Sequence, residues 1–197
     1  LSTIPAMIRE EILSQKYVGI DESPMNLLLE EKKKGYIWSI SNNYGAYYQY
    51  EVTRSGMVAK EMLKGYQGSV IADAYGGYNF LYFMEEIILA ICWSHVRRKF
   101  YDATATAPVA DEMVKLIDDL YDIEHEASNH DELKMLRETK STKKVEEVER
   151  WIKEQQIKNL KSSAIGKAIE YISNGLTPFR SKGKIVNPNH VGSLKEF

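Results

Sequence analysis

The sequence predicts an α/β domain followed by a helical block, and three observations carry that prediction. Two short apolar runs, Val70-Ile71-Ala72 and residues 87–91, are bounded by Gly or polar residues and fit buried strands. Ahead of them, residues 17–25, 36–41 and 47–53 are rich in β-formers. They are joined by turn-type links, Lys32-Lys33-Lys34-Gly35 and Asn42-Asn43-Tyr44-Gly45, as in an antiparallel meander. From residue 110 to 174 the strand-like alternation stops, and apolar residues recur at helical spacing instead.

Composition narrows the class. With 197 residues, 44% hydrophobic and 27% charged, the chain is long enough and apolar enough for a globular domain with a core. No apolar run approaches the ~20 residues of a membrane span, and the start lacks a basic-then-apolar leader. A single Cys excludes an internal disulfide or a Cys-built zinc cage and suits a reducing cytoplasm. A net charge of −2 argues against a globally basic nucleic-acid binder. DNA affinity depends on local phosphate neutralisation, however, so DNA stays open. The basic clusters are Lys32-Lys33-Lys34, Arg97-Arg98-Lys99, Lys140 with Lys143-Lys144, and Arg180 with Lys182 and Lys184. Each reads first as a solvated turn or helix face.

The elements follow in order. Residues 1–16 read as a helix, with Ile4, Met7, Ile8 and Ile12 near helical spacing and Pro5 in the tolerant first turn. The chain opens on Leu1 rather than Met and so reads as an excerpt of something longer. In the first strand Val18 and Ile20 share a face, Asp21 follows, and Pro24 limits or bends the strand. An Asp before Ser-Pro is, taken alone, a turn or capping carboxylate. The aromatics Tyr36, Trp38, Tyr47, Tyr48 and Tyr50 suit sheet packing, with base stacking as the alternative. Arg54-Ser55-Gly56 opens a helix to about Lys64. The fourth strand ends at Asp73 beside Gly76-Gly77, where α/β proteins place their sites. Residues 75–83 predict a short helix and 87–92 the fifth strand.

That strand runs into Cys92-Trp93-Ser94-His95, then Arg97-Arg98-Lys99. Cys92 and His95 alone do not close a metal site. The expectation is a buried Cys92, a His95 bonded near the acids or to DNA, and Arg97 and Arg98 placed to meet phosphates. In the helical block Leu116, Leu120, Trp151 and Ile169 are expected inward, while Glu124, His125, Glu126 and His130 read as a solvated face.

Two motifs in this chain carry a resemblance: Asp73-Ala74-Tyr75-Gly76-Gly77-Tyr78, and the run from Cys92 to Phe100. Their order and spacing resemble the insertion-sequence-66 family of bacterial transposases, which shows Asp-Gly-Tyr-x-Gly-Tyr and then Cys-Trp-x-His-x-Arg-Arg-Lys-Phe. Ala74 for Gly is the one departure. Asp21-Glu22-Ser23-Pro24-Met25 is similar to the family's Asp-Glu-Thr-Pro-Val, and the stretch from Leu116 to Glu124 to its L-I-x-x-L-Y-x-I-E phrase. The resemblance spans roughly residues 14–191.

The resemblance implies a DDE-class catalytic domain with an RNase H-like mixed five-stranded sheet and helices. Residues 1–109 would form the core carrying the first two acids, 110–174 a helical insertion, and 175–197 the segment of the third acid. Asp21 and Asp73 would be the first and second catalytic acids and ligands of Mg²⁺ (or Mn²⁺). His95, Arg97 and Arg98 would contact DNA. The implied partners are transposon ends and target DNA, with homo-oligomerisation left open and no membrane. The implied location is the bacterial cytoplasm, at the nucleoid when on DNA.

The match thins near the end. Leu176-Thr177-Pro178-Phe179 fits the family, but Gly192 stands where the third acid, a Glu, belongs, and Ser193 where Arg belongs. Glu196 is the nearest substitute. The expectation is therefore an incomplete or decayed transposase copy, and whether the chain is an enzyme turns on that acid. The alternatives are a non-catalytic DNA- or partner-binding remnant, or an RNase H-like nuclease acting on RNA.

Overall fold

The computed structural model describes residues 3–27 and 34–181, with 175–181 as backbone only. The chain divides in sequence between Ala90 and Ile91 into two compact units.

The first unit is built on a sheet. Helix α1 (Ile4–Leu13) leads into β1 (Tyr17–Asn26), β2 (Lys34–Asn42), β3 (Gly45–Glu51), α2 (Gly56–Met62), β4 (Gly68–Ala72), a 3₁₀ segment (Gly76–Phe83) and β5 (Ile87–Ile91). The strand order is β3-β2-β1-β4-β5. β1 runs antiparallel to β2 and parallel to β4, so the five-stranded sheet is mixed, as expected. β1 pairs with β4 only from Tyr17 to Gly19 and with β2 out to Asn26. Pro24 therefore sits where one edge of β1 has no ladder to break, and the strand continues past it.

Alternation along the strands sets the core. Val18 and Ile20, Trp38 and Ile40, and Val70 and Ala72 pack in one cluster with Ile12, Ala59, Met62, Tyr78 and Leu81. Ser55 caps α2 by accepting from the Met57 N–H. The aromatic run resolves by the same alternation. Trp38 is fully buried and Tyr36 and Tyr47 pack against the core, whereas Tyr48 and Tyr50 are exposed.

In the second unit every described element after β5 is helical: α3 (Trp93–Ala103), α4 (Ala110–Glu126), α5 (His130–Leu136), a π turn (Arg137–Ser141), α6 (Thr142–Lys158) and α7 (Ala164–Ser181). α3 packs on α4 and α7, and α6 on α4 and α7. Leu120, Trp151 and Ile169 are buried as the periodicity predicts, and Phe100 meets Trp151 edge to face at 5.6 Å. Two expectations need correction. Leu116 is only half-buried, because Met113, Ile117 and Leu120 form the centre of the stripe and Leu116 flanks it. Glu124 is not a solvated residue: Arg137 binds it in a nearly closed site, with side-chain exposures of 14% and 9%. No helix among the described residues is long and apolar enough to cross a membrane.

Candidate functional site

Along β1, side chains alternate between the two faces of the sheet. Val18, Ile20 and Glu22 share the core face, and Gly19 and Asp21 take the other. A carboxylate on the core face needs partners, since burying an unpaired charge is very costly. Glu22 is fully enclosed and finds two. The Arg54 Nε donates to its Oε1 at 2.6 Å, with Nη2 also in contact, and the Tyr78 hydroxyl donates to Oε2. Burial pushes the Glu22 carboxyl up, the Tyr78 and Arg54 bonds pull it down, and the net shift is upward. Burial also pushes the Tyr78 phenol up, reinforced by the charges of Glu22, Asp73 and Asp21, so it stays protonated and donates. For Arg54, burial alone would lower the pKa, but the Glu22 carboxylate raises it overall.

Arg54 extends this arrangement towards Asp73. Its guanidinium lies 4.0 Å over the Tyr75 ring. The Tyr75 hydroxyl donates to the Arg54 carbonyl at 2.6 Å, and the Tyr75 N–H donates to Asp73 Oδ1 at 3.0 Å. Contacts thus run unbroken from Asp73 through Tyr75 and Arg54 to Glu22. Two glycines make room for them. A Cβ on Gly77 would fall 2.2 Å from the Tyr75 ring, and one on Gly56 would fall 2.1 Å from the Gly77 carbonyl oxygen. The start of α2 and the turn after β4 therefore touch backbone to backbone.

Strand alternation turns Asp21 to the opposite face of β1 from Val18 and Ile20, and Asp73 follows directly on the end of β4. The parallel register pairs Val18 with Val70 and Gly19 with Ile71. The ladder ends there, two residues before Asp21 and Asp73. Both side chains are half-buried. Each has one oxygen fixed by a main-chain donor: Glu22 N–H to Asp21 Oδ1 and Tyr75 N–H to Asp73 Oδ1, both at 3.0 Å. Ser39 of β2 pairs with Asp21, and Tyr48 of β3 with Ser39, so one row crosses the sheet from an exposed tyrosine to Asp21.

A divalent cation fits this donor set in part. Mg²⁺ is held by one or two carboxylates, completed by water and substrate phosphate. Asp21 and Asp73 each carry hard carboxylate oxygens of the kind Mg²⁺ takes. Among the described residues no group of three His, Cys, Asp or Glu side chains is arranged to hold a metal. The third-acid expectation falls on Gly192, Ser193 and Glu196, which lie outside the described residues.

The other candidates belong to the second unit. Cys92 is half-buried rather than fully buried, at the N-cap of α3. Burial pushes its thiol up, but hydrogen bonds with His95 prevail and the net shift is downward. The Ser94 and Tyr121 hydroxyls are bonded at 2.9 Å. Arg97 makes a forked bond to Asp118, Nε to Oδ1 at 2.7 Å and Nη2 to Oδ2 at 2.9 Å. Arg98 is exposed. Lys140 pairs with Glu126, and Lys144 with Asp119 and Glu147, so these lysines sit in helix-face ion pairs as expected.

Glu22, Arg54, Tyr75 and Tyr78 were missed as a unit by sequence reasoning. The signal was parity: Val18, Ile20 and Glu22 share one face of β1, and a carboxylate on that buried face demands a cation or donor to partner it. Which cation it is, the spacing does not say.

A mixed five-stranded sheet in the order β3-β2-β1-β4-β5, accompanied by helices, is an RNase H-like α/β fold. A family model described as "Transposase IS66 family" matches residues 1–185, and the chain belongs to that family. No curated protein and no solved structure matches the chain.

Proposed function

We propose that this chain is a DDE-type transposase domain that binds DNA and holds Mg²⁺ or Mn²⁺ between Asp21 and Asp73. The observation that supports the reading is that β1 and β4 run parallel and in register up to Gly19 and Ile71, two residues before Asp21 and Asp73. When bound, the ion would polarise a phosphodiester oxygen and help generate a nucleophile for in-line attack. The chain's own part is to hold the two carboxylates: the main-chain donors of Glu22 and Tyr75 fix one oxygen of each and leave the other for the cation. His95, Arg97 and Arg98 are further proposed DNA contacts. Arg98 is the most accessible of them, because Arg97 already shares its fork with Asp118.

The sequence carries Gly192 where the resemblance calls for the third acid. The proposed outcome is weak metal binding and DNA binding without efficient strand transfer. Electrostatic stabilisation of this kind is commonly worth several kcal/mol, and each ~1.4 kcal/mol is tenfold in rate. The test is a Mg²⁺- or Mn²⁺-dependent nicking assay on duplex DNA, alongside calorimetric titration of the metal. Asp21→Ala and Asp73→Ala serve as controls. The expected result is a weak metal isotherm abolished by either substitution, with cleavage slower by orders of magnitude than two-metal chemistry allows. Robust cleavage lost in both variants would show a complete site with another third acid. Metal binding unaffected by either variant would remove the acid assignment.

A further inference from the structure

The strongest unassigned feature is the exposed side of the Arg54 guanidinium. Glu22 is fully enclosed, yet the Arg54 side chain that neutralises it is 43% exposed. Of the guanidinium donors, Nε and one N–H of Nη2 serve Glu22 Oε1, and Nη1 has no partner among the described residues. Arg is always charged and presents its donors in a rigid plane, so fixing one edge aims the other. Here the plane is fixed twice, by the Glu22 carboxylate and by the Tyr75 ring at 4.0 Å. Tyr75 in turn holds Asp73 through its N–H, so the open edge belongs to the same local arrangement as Asp73. Asp73 is close enough to act on Arg54 electrostatically. A phosphodiester approaching two carboxylates is repelled unless a cation is at hand, and Arg forks match phosphate oxygens.

We infer that Arg54 is a phosphate contact, binding a backbone phosphate of the DNA next to the Asp21–Asp73 pair through its open guanidinium edge. Glu22 and Tyr75 are then positioning residues that hold the fork. This rests on the DNA reading above. The competing account makes Arg54 purely structural, present only to neutralise Glu22. The two accounts differ in the salt dependence of DNA binding. Each neutralised phosphate contributes about −0.9 to the slope of log K against log salt on B-DNA. A lost phosphate contact lowers that slope by about one unit, and a lost structural prop does not.

The experiment measures affinity for a short DNA duplex of arbitrary sequence across a KCl series, with thermal midpoints taken in parallel. The proteins are the unmodified chain, Arg54→Lys, Arg54→Gln and the double variant Glu22→Gln/Arg54→Gln. The double variant removes both charges of the pair, so the fold is retained even if Arg54→Gln alone is unstable. Arg54→Lys should keep the slope with a modest loss of affinity. Both Arg54→Gln and the double variant should bind several-fold more weakly with the slope reduced by about one. If the double variant has the unmodified slope, Arg54 is structural and the inference fails while DNA binding stands. If the unmodified chain shows no salt-dependent binding, the DNA reading fails and takes this inference with it.

Discussion

Among the described residues, each unit contains an Arg–Glu pair between residues far apart in sequence, and the two pairs are built differently. In the sheet unit, Glu22 is fully enclosed and Arg54 is 43% exposed; in the helical unit, Glu124 and Arg137 are 9% and 14% exposed. Arg137 closes a fork on Glu124, Nε to Oε1 at 2.9 Å and Nη2 to Oε2. Arg54 brings both its contacts to one oxygen of Glu22, and Tyr78 serves the other. The helical pair is a clamp between α4 and the π turn, with both ends out of water. The sheet pair is an anchored cation with an accessible side. Burial of the carboxylate alone would not tell the two apart; the exposure of the arginine does.

The largest effect that tests this contrast is loss of each arginine. Arg137→Met strands a nearly enclosed carboxylate and is expected to cost about 3–5 kcal/mol. Arg54→Met should cost less, about 1–2 kcal/mol, because Tyr78 still donates to Glu22 and water reaches the space the half-exposed side chain leaves. Urea unfolding of the two variants measures both. A double variant, Glu124→Leu/Arg137→Met, should regain most of the stability lost in Arg137→Met. Equal costs for the two arginine variants would mean that Arg54 is as structural as Arg137.

A smaller effect comes from Tyr78→Phe, expected at about 1 kcal/mol. The ring remains in place, buried and edge-on to Trp38 at 6.2 Å, so the loss isolates the hydroxyl. An unchanged urea midpoint would mean that Arg54 satisfies both Glu22 oxygens by itself and has fewer donors to spare for a ligand.

Much of this architecture was legible in the sequence because it depends on local periodicity. Alternation at Val18 and Ile20 fixes the face that β1 buries and turns Asp21 to the other, and the unbroken apolar run Val70-Ile71-Ala72 marks β4 as a buried strand that ends just before Asp73. Helical spacing at Met113, Ile117 and Leu120 fixes the stripe of α4, and Leu116 was misplaced only because it borders that stripe. The parts that were not legible depend on pairing at a distance. Nothing near Glu22 announces that Arg54 and Tyr78 will reach it from a loop and from the 3₁₀ segment. Arg97 and Arg98 stand side by side in sequence, yet only Arg97 meets Asp118, because Asp118 lies on a different helix. Side-chain burial follows from a one-dimensional pattern, whereas the choice of an ion-pair partner follows from how elements dock.

The smallest expected effect gives the sharpest comparison: neutralising each carboxylate without changing its shape. In Glu22→Gln the introduced amide oxygen still accepts from Arg54, and its NH₂ donates to the Tyr78 oxygen, so the number of hydrogen bonds is kept. Burial already disfavours the Glu22 charge, so removing it relieves a penalty. Arg54 loses an ion pair but is open enough for water to solvate it. The net change should stay within about 1 kcal/mol. Glu124→Gln has no such relief. Arg137 is only 14% exposed, and it would keep its charge in a nearly closed site facing an amide that offers one good acceptor instead of two. Its cost should be clearly the larger of the two by urea unfolding. A Glu22→Gln variant as destabilised as Glu124→Gln would show that Arg54 depends on its carboxylate as fully as Arg137 does, and the distinction between anchored cation and closed clamp would fall.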